Sequence, residues 1–102
     1  MAASPELHRE YPFTVLLAGG ALPDIEDGER FLIQGIIDCL FREDDGWVLV
    51  DYKSDRLESD RDFKERYAIQ LDLYKQAVEQ ITGIPVRETY IYSFHLQREI
   101  MI

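Results

Sequence analysis

Apolar residues fall into strand-length runs, then one helical repeat, then a closing alternating run. Glu10–Leu17 (EYPFTVLL), Ile33–Phe41 (IQGIIDCLF) and Trp47–Tyr52 (WVLVDY) read as strands rich in β-branched and aromatic residues. Pro12 lies near the start of the first, where a missing amide donor is tolerable. Ala18–Gly28 holds Gly19, Gly20, Pro23 and three acids and reads as a loop, whereas Asp45-Gly46 marks a hairpin. Phe63, Tyr67, Leu71, Tyr74, Val78 and Ile81 recur every three or four residues, which predicts a helix ending at Gly83 and Pro85. Asp62 with Glu65 resembles a capping box at its start. Val86–Leu96 alternates, with Tyr90, Tyr92 and Phe94 on one face and Ile91, Ser93 and His95 on the other.

The predicted order is therefore β-β-β-α-β, an α/β fold. The strand Trp47–Tyr52, the helix and Val86–Leu96 form a right-handed unit with two parallel strands. Trp47–Tyr52 is apolar on both faces, as a central strand is. At 102 residues the chain is expected to be a single domain, with residues 1–9 a flexible start and Arg98–Ile102 ending it without a disordered tail.

Candidate chemistry lies at the ends of the hairpin strands, in Asp38, Asp51 and Lys53. A loop of Asp45 and Gly46 alone sets Asp38 against Lys53, whereas a Glu43–Gly46 loop sets Asp38 against Asp51. Under either register, alternation places Asp38, Asp51 and Lys53 on one face, beside Ile36, Leu40 and Leu49; only an odd-length loop or a bulge would separate them. That cluster is expected at one edge of the sheet beneath the helix. Two ionised carboxylates among apolar neighbours are costly unless a cation lies between them, and oxygen ligands of this kind suit Mg²⁺. Lys53 would then sit beside a bound phosphate and its attacking water. An ordinary Asp–Lys cross-strand ion pair uses the same residue types and stays open on these residues alone.

The four blocks Arg9-Glu10-Tyr11-Pro12-Phe13, Gln34–Leu40, Val50–Asp55 and Gln70–Tyr74 together tilt the balance. In this order they resemble the RecB-like branch of the PD-(D/E)XK nucleases, and within it the C-terminal nuclease domain of AddA-type helicase–nucleases, which resect bacterial double-strand breaks. The resemblance implies a restriction-endonuclease-like core with its first helix missing. It implies that Asp38, Asp51 and the backbone carbonyl of Tyr52 hold Mg²⁺ or Mn²⁺, and that Lys53 orients the water and stabilises phosphate charge. It implies that Glu10 supports the site or a second ion, and that Gln70 and Tyr74, four apart on one helical face, reach the same strand ends. The family's metal-binding histidine sits on an upstream helix that this chain starts too late to include. His8 does not take that role and is expected to be solvent-exposed, and the chain alone is expected to bind metal weakly or be inactive.

Composition narrows the picture. Cys39 is the single cysteine, so neither a disulfide within the chain nor the four-thiolate iron–sulfur cluster of some RecB-like relatives can form. No apolar run reaches membrane-span length, the first residues lack a signal-peptide core, and a bacterial cytoplasm is the expected setting. No Gly-rich phosphate loop occurs, so ATP use would belong to a motor outside this chain. Eleven basic against twenty acidic residues, a net charge of −9, is the wrong sign for a freestanding DNA binder. A domain fed single-stranded DNA by an attached helicase, with an AddB-type protein as partner, tolerates that charge. A catalytically inactive docking or regulatory module is the alternative, and a standalone endonuclease fits the charge least. Tyr67 reads as a core residue of the helix, and His95 as a surface or edge histidine.

Overall fold

The computed structural model describes residues 6–18 and 29–102. The elements are β1 (Leu7–Ala18), β2 (Arg30–Glu43), β3 (Gly46–Lys53), α1 (Asp60–Thr82), β4 (Val86–Ser93) and β5 (Arg98–Met101). They form one five-stranded sheet in the order β1-β2-β3-β4-β5, antiparallel throughout except for the parallel β3–β4 pair. The predicted α/β class, the central place of β3 and its helical crossover to a parallel neighbour are all present. The expected flexible start is only partly visible, because residues 1–5 lie outside the described residues and Leu7 to Arg9 pair with Phe41 to Cys39. Of the expected 18–28 loop only Ala18 is described, as the last residue of β1.

The strand Val86–Leu96 divides in two. It ends at Ser93, whose buried hydroxyl accepts the Leu96 amide at 3.0 Å. Gln97 takes a φ of +55°, and Arg98–Met101 returns as β5 with Ile100 opposite Ile91. β5 carries no turn glycine before it and only four residues, so alternation alone does not reveal it.

Helix α1 is capped by Ser59, whose hydroxyl accepts the Asp62 amide at 3.2 Å; the Asp62–Glu65 box does not form, and Glu65 instead meets Arg61 at 2.9 Å. At the other end Gly83 sits at φ +73° and its amide reaches Glu79 O at 2.9 Å, the left-handed terminus that glycine permits. The helix buries Phe63, Leu71, Ala77 and Val78 against a core that includes Phe13, Val15, Ile37, Leu40, Leu49, Ile91 and Ile100. Each large side chain removed from water this way contributes roughly 1.5–3 kcal/mol. Trp47 Nε1 donates to Thr82 Oγ1 at 3.0 Å and Gln80 Nε2 to Leu16 O at 2.8 Å, so the end of α1 is pinned to β3 and β1. The opposite sheet face carries Phe41, Val48, Val50, Tyr52, Tyr90 and Tyr92 along a groove.

Candidate active site

The hairpin sets the register. Arg42 faces Trp47 and Cys39 faces Val50, so the same register brings Asp38 opposite Asp51. The loop is Asp44-Asp45, one residue earlier than the Asp45-Gly46 cue implies, and Gly46 begins β3. Glycine is needed there for a different reason: a Cβ would lie 2.5 Å from Pro85 O, the carbonyl that accepts the Trp47 amide at 2.8 Å.

Alternation along β2 is not continuous. Gly35 faces α1, since a Cβ there would lie 3.0 Å from the Tyr74 hydroxyl, and Ile37, two residues on, is fully buried. Leu40, of the opposite parity, is also fully buried and pairs with Leu49 in the same core. The strand therefore reverses its facing between Ile37 and Leu40. Its partner is irregular at the same place: Glu10 has φ +51°, and the Glu10–Asp38 step is missing between Arg9↔Cys39 and Tyr11↔Ile37. Asp38 sits at this double irregularity. Ile36 consequently does not line the site as alternation predicts; it is 56% exposed.

The two acids nonetheless meet, on the inner strands β2 and β3 rather than at a sheet edge. Asp38 Oδ2 accepts the Tyr52 amide at 2.9 Å. Asp51 is 4% exposed, and its Oδ2 pairs with Lys53 Nζ at 2.9 Å. Burial, reinforced by a hydrogen bond to Asp38, pushes the Asp51 carboxyl up to about 6 despite Lys53. Burial alone would lower Lys53, but its contact with Asp51 holds it above its ordinary value, so it stays an ammonium. Among the described residues no group of three His, Cys, Asp or Glu converges anywhere, so a cation here would take two carboxylates and complete its shell with backbone oxygen and water. Two adjoining carboxylates, one of them buried, are a donor set suited to such a cation.

The remaining expected residues divide. Gln70 Nε2 lies 3.5 Å from the Tyr74 hydroxyl, and Gln70 Oε1 is buried without a partner. Burial and then the Asp51 charge raise Tyr74, keeping its hydroxyl protonated beside the acids. The structure thus brings Asp38, Asp51, Lys53, Tyr74 and Gln70 to one neighbourhood. Glu10 is exposed, and its backbone rather than its side chain makes the mark on the site. His8 is not solvent-exposed as expected; half-buried, it packs on Tyr11 and Trp47 with ring centroids at 5.3 and 5.8 Å. His95 pairs with Glu58 at 2.8 Å. Sequence reasoning misses the part of Tyr67, whose ring lies 4.4 Å from Lys53 Nζ, and of Asp55, which accepts the Tyr67 hydroxyl at 2.7 Å. A signal for both exists: Tyr67 is one helical turn before Gln70, and Asp55 is two residues past Lys53.

The chain is 44% identical over 100 residues to an ATP-dependent helicase/nuclease subunit of Thermoanaerobacter sp. (strain X514), covering 92% of this chain. It is 42% identical to the protein of the same name from Clostridium botulinum (strain Alaska E43 / Type E3), over 95% of this chain. Against that of Geobacillus kaustophilus (strain HTA426) it is 41% identical over 92% of this chain. The chain spans 8% of the length of each of these relatives. The profile of the PD-(D/E)XK nuclease superfamily matches residues 2–99, and the chain belongs to that superfamily.

Proposed function

We propose that this domain hydrolyses DNA phosphodiester bonds with a divalent cation, Mg²⁺ or Mn²⁺, held by Asp38, Asp51 and the Tyr52 carbonyl. The observation that carries the reading is Asp51, buried beside Asp38 with its carboxyl raised to about 6 and the Lys53 ammonium at 2.9 Å. When bound, the cation supplies Lewis-acid polarisation of the phosphate and an acidified water. The chain's own residues do the rest. The Tyr52 amide fixes Asp38, while Lys53 keeps a positive charge where the phosphoryl oxygens gather charge. Tyr74, held protonated, is a hydroxyl donor toward the same oxygens or the water, and Gln70 orients it. Glu10 supports the site through the turn of β1.

The names of the relatives support a setting in a larger ATP-dependent helicase–nuclease, and we read its task as resection of double-strand breaks for recombinational repair. There the motor would use ATP and deliver single-stranded DNA, an AddB-type protein would be the partner, and the bacterial cytoplasm the location. The net charge of −9 accords with substrate delivered rather than captured. In the full-length protein, Asp51→Ala is expected to abolish cleavage and leave unwinding intact; cleavage at the wild-type rate would refute the assignment.

The same charge, with only two acids at the pair, also favours a second reading, a docking module that keeps the fold without the reaction. Calorimetry with Mg²⁺ and Mn²⁺ on the full-length protein, upstream helix included, separates the two, because the second reading predicts no binding heat at this site even there.

A further inference from the structure

We infer that Tyr67, anchored through its hydroxyl to Asp55, is the positioning residue for Lys53; its part in the reaction rests on the hydrolysis proposed above. Lys53 is the last residue of β3 and carries a long stem with several rotatable bonds, so one ion pair leaves its ammonium poorly fixed. Two walls hold it here. Asp51 Oδ2 lies at 2.9 Å on one side, and the Tyr67 ring centroid at 4.4 Å on the other. The two contacts differ in kind. A carboxylate competes for the N–H donors, whereas a ring face attracts the charge without claiming a directed donor. The ring thus leaves N–H groups of Lys53 free for a phosphate or water. It also retains the ammonium if the Asp51 carboxylate is drawn toward a cation.

The ring is itself immobilised. Its hydroxyl donates to Asp55 Oδ2 at 2.7 Å, and the fully buried Phe63 stacks on it at 6.4 Å and 27°. Donation to an anion enriches the ring in electron density, which strengthens its hold on a cation. Arg66 lies 3.4 Å from the same Asp55 oxygen and balances its charge. Asp55 follows Lys53 by two residues, so the segment leaving β3 is tied to α1 twice, once through the ammonium and once through the carboxylate. Tyr67 thus packs against the core, as its spacing predicts, and also presents its ring to the strand end.

The chain's lysines are Lys53, Lys64 and Lys75, so carbon-detected spectra of lysine-labelled protein resolve each ε-methylene. The ring current of Tyr67 is expected to move the Lys53 signal upfield of the other two. Tyr67→Phe should keep that shift and Tyr67→Leu remove it. In the full-length protein, Tyr67→Leu should lower kcat for single-stranded DNA about tenfold to hundredfold with KM within about twofold, and Tyr67→Phe should recover much of the loss. An unshifted Lys53 in the wild-type chain overturns the inference without any variant, and so does wild-type kcat in Tyr67→Leu. Asp51→Ala run alongside separates the two layers. Equal cleavage by it and the wild type overturns the hydrolytic reading and this role in it, while the lysine spectra alone report whether the ring holds the ammonium.

Discussion

The Tyr52 amide donates to Asp38 Oδ2 across 2.9 Å, so an acid of β2 is bound to the backbone one residue beyond the acid of β3. Regular ladder pairing would send that amide to a carbonyl. Here, at the reversal of facing, the Asp38 carboxylate takes that place, and both acids lie near Tyr74 of α1. One backbone irregularity therefore satisfies a donor and assembles the pair.

The pair is expected to cost stability when empty and ionised. Asp51 takes up its proton near 6 in the fold against an ordinary 3.8, so the folded chain binds that proton more tightly than the unfolded chain. Its contribution is full below about pH 4 and is lost as pH rises through about 6, a difference on the order of 3 kcal/mol. Asp51→Asn should therefore melt higher than wild type at about pH 7.5 without divalent metal, and the two should converge near about pH 4. Thermal melts across pH check this.

Gly46→Ala should destabilise the fold by about 1–3 kcal/mol. The added Cβ would meet Pro85 O at 2.5 Å and Arg87 Cγ at 2.3 Å. The arginine can move, but the carbonyl cannot retreat without giving up the Trp47 amide. Denaturant midpoints would show it, and an unchanged midpoint would mean that β3 and Pro85 are less tightly joined than described.

Glu10→Gly should act in the opposite sense. A non-glycine residue at φ +51° carries a left-handed penalty that glycine escapes. A gain of about 0.5–1 kcal/mol is expected. Glycine keeps the turn through which Glu10 supports the site, so nuclease activity should be retained in the same variant, and its loss would give the carboxylate a part of its own. A stabilised, fully active Glu10→Gly protein would confine Glu10 to its backbone role.

What can be read in advance follows physical range. Patterns of apolar spacing reveal α1, β1 to β4 and the parallel crossover, because each is a local repeat imposed by burial. The Asp38–Asp51 apposition is one of two registers the hairpin allows, and β3's fit against Pro85 is bound up with the one observed. The reversal at Glu10 and Asp38 is not legible, since a left-handed glutamate leaves no trace in hydrophobic periodicity. β5 is hidden for the same reason: Gln97, not glycine, makes its turn. Tyr67 reads as core because helical spacing says which face a residue occupies, not whether a cation waits there.

The central claim is that Asp38 and Asp51 form a divalent-cation site. Crystals soaked in Mn²⁺ and measured at an anomalous wavelength address it directly. The account predicts a single strong peak between the two carboxylates, lost in Asp51→Asn crystals treated alike. Soaked wild-type crystals with no peak there, or with manganese only at other acids, would contradict it.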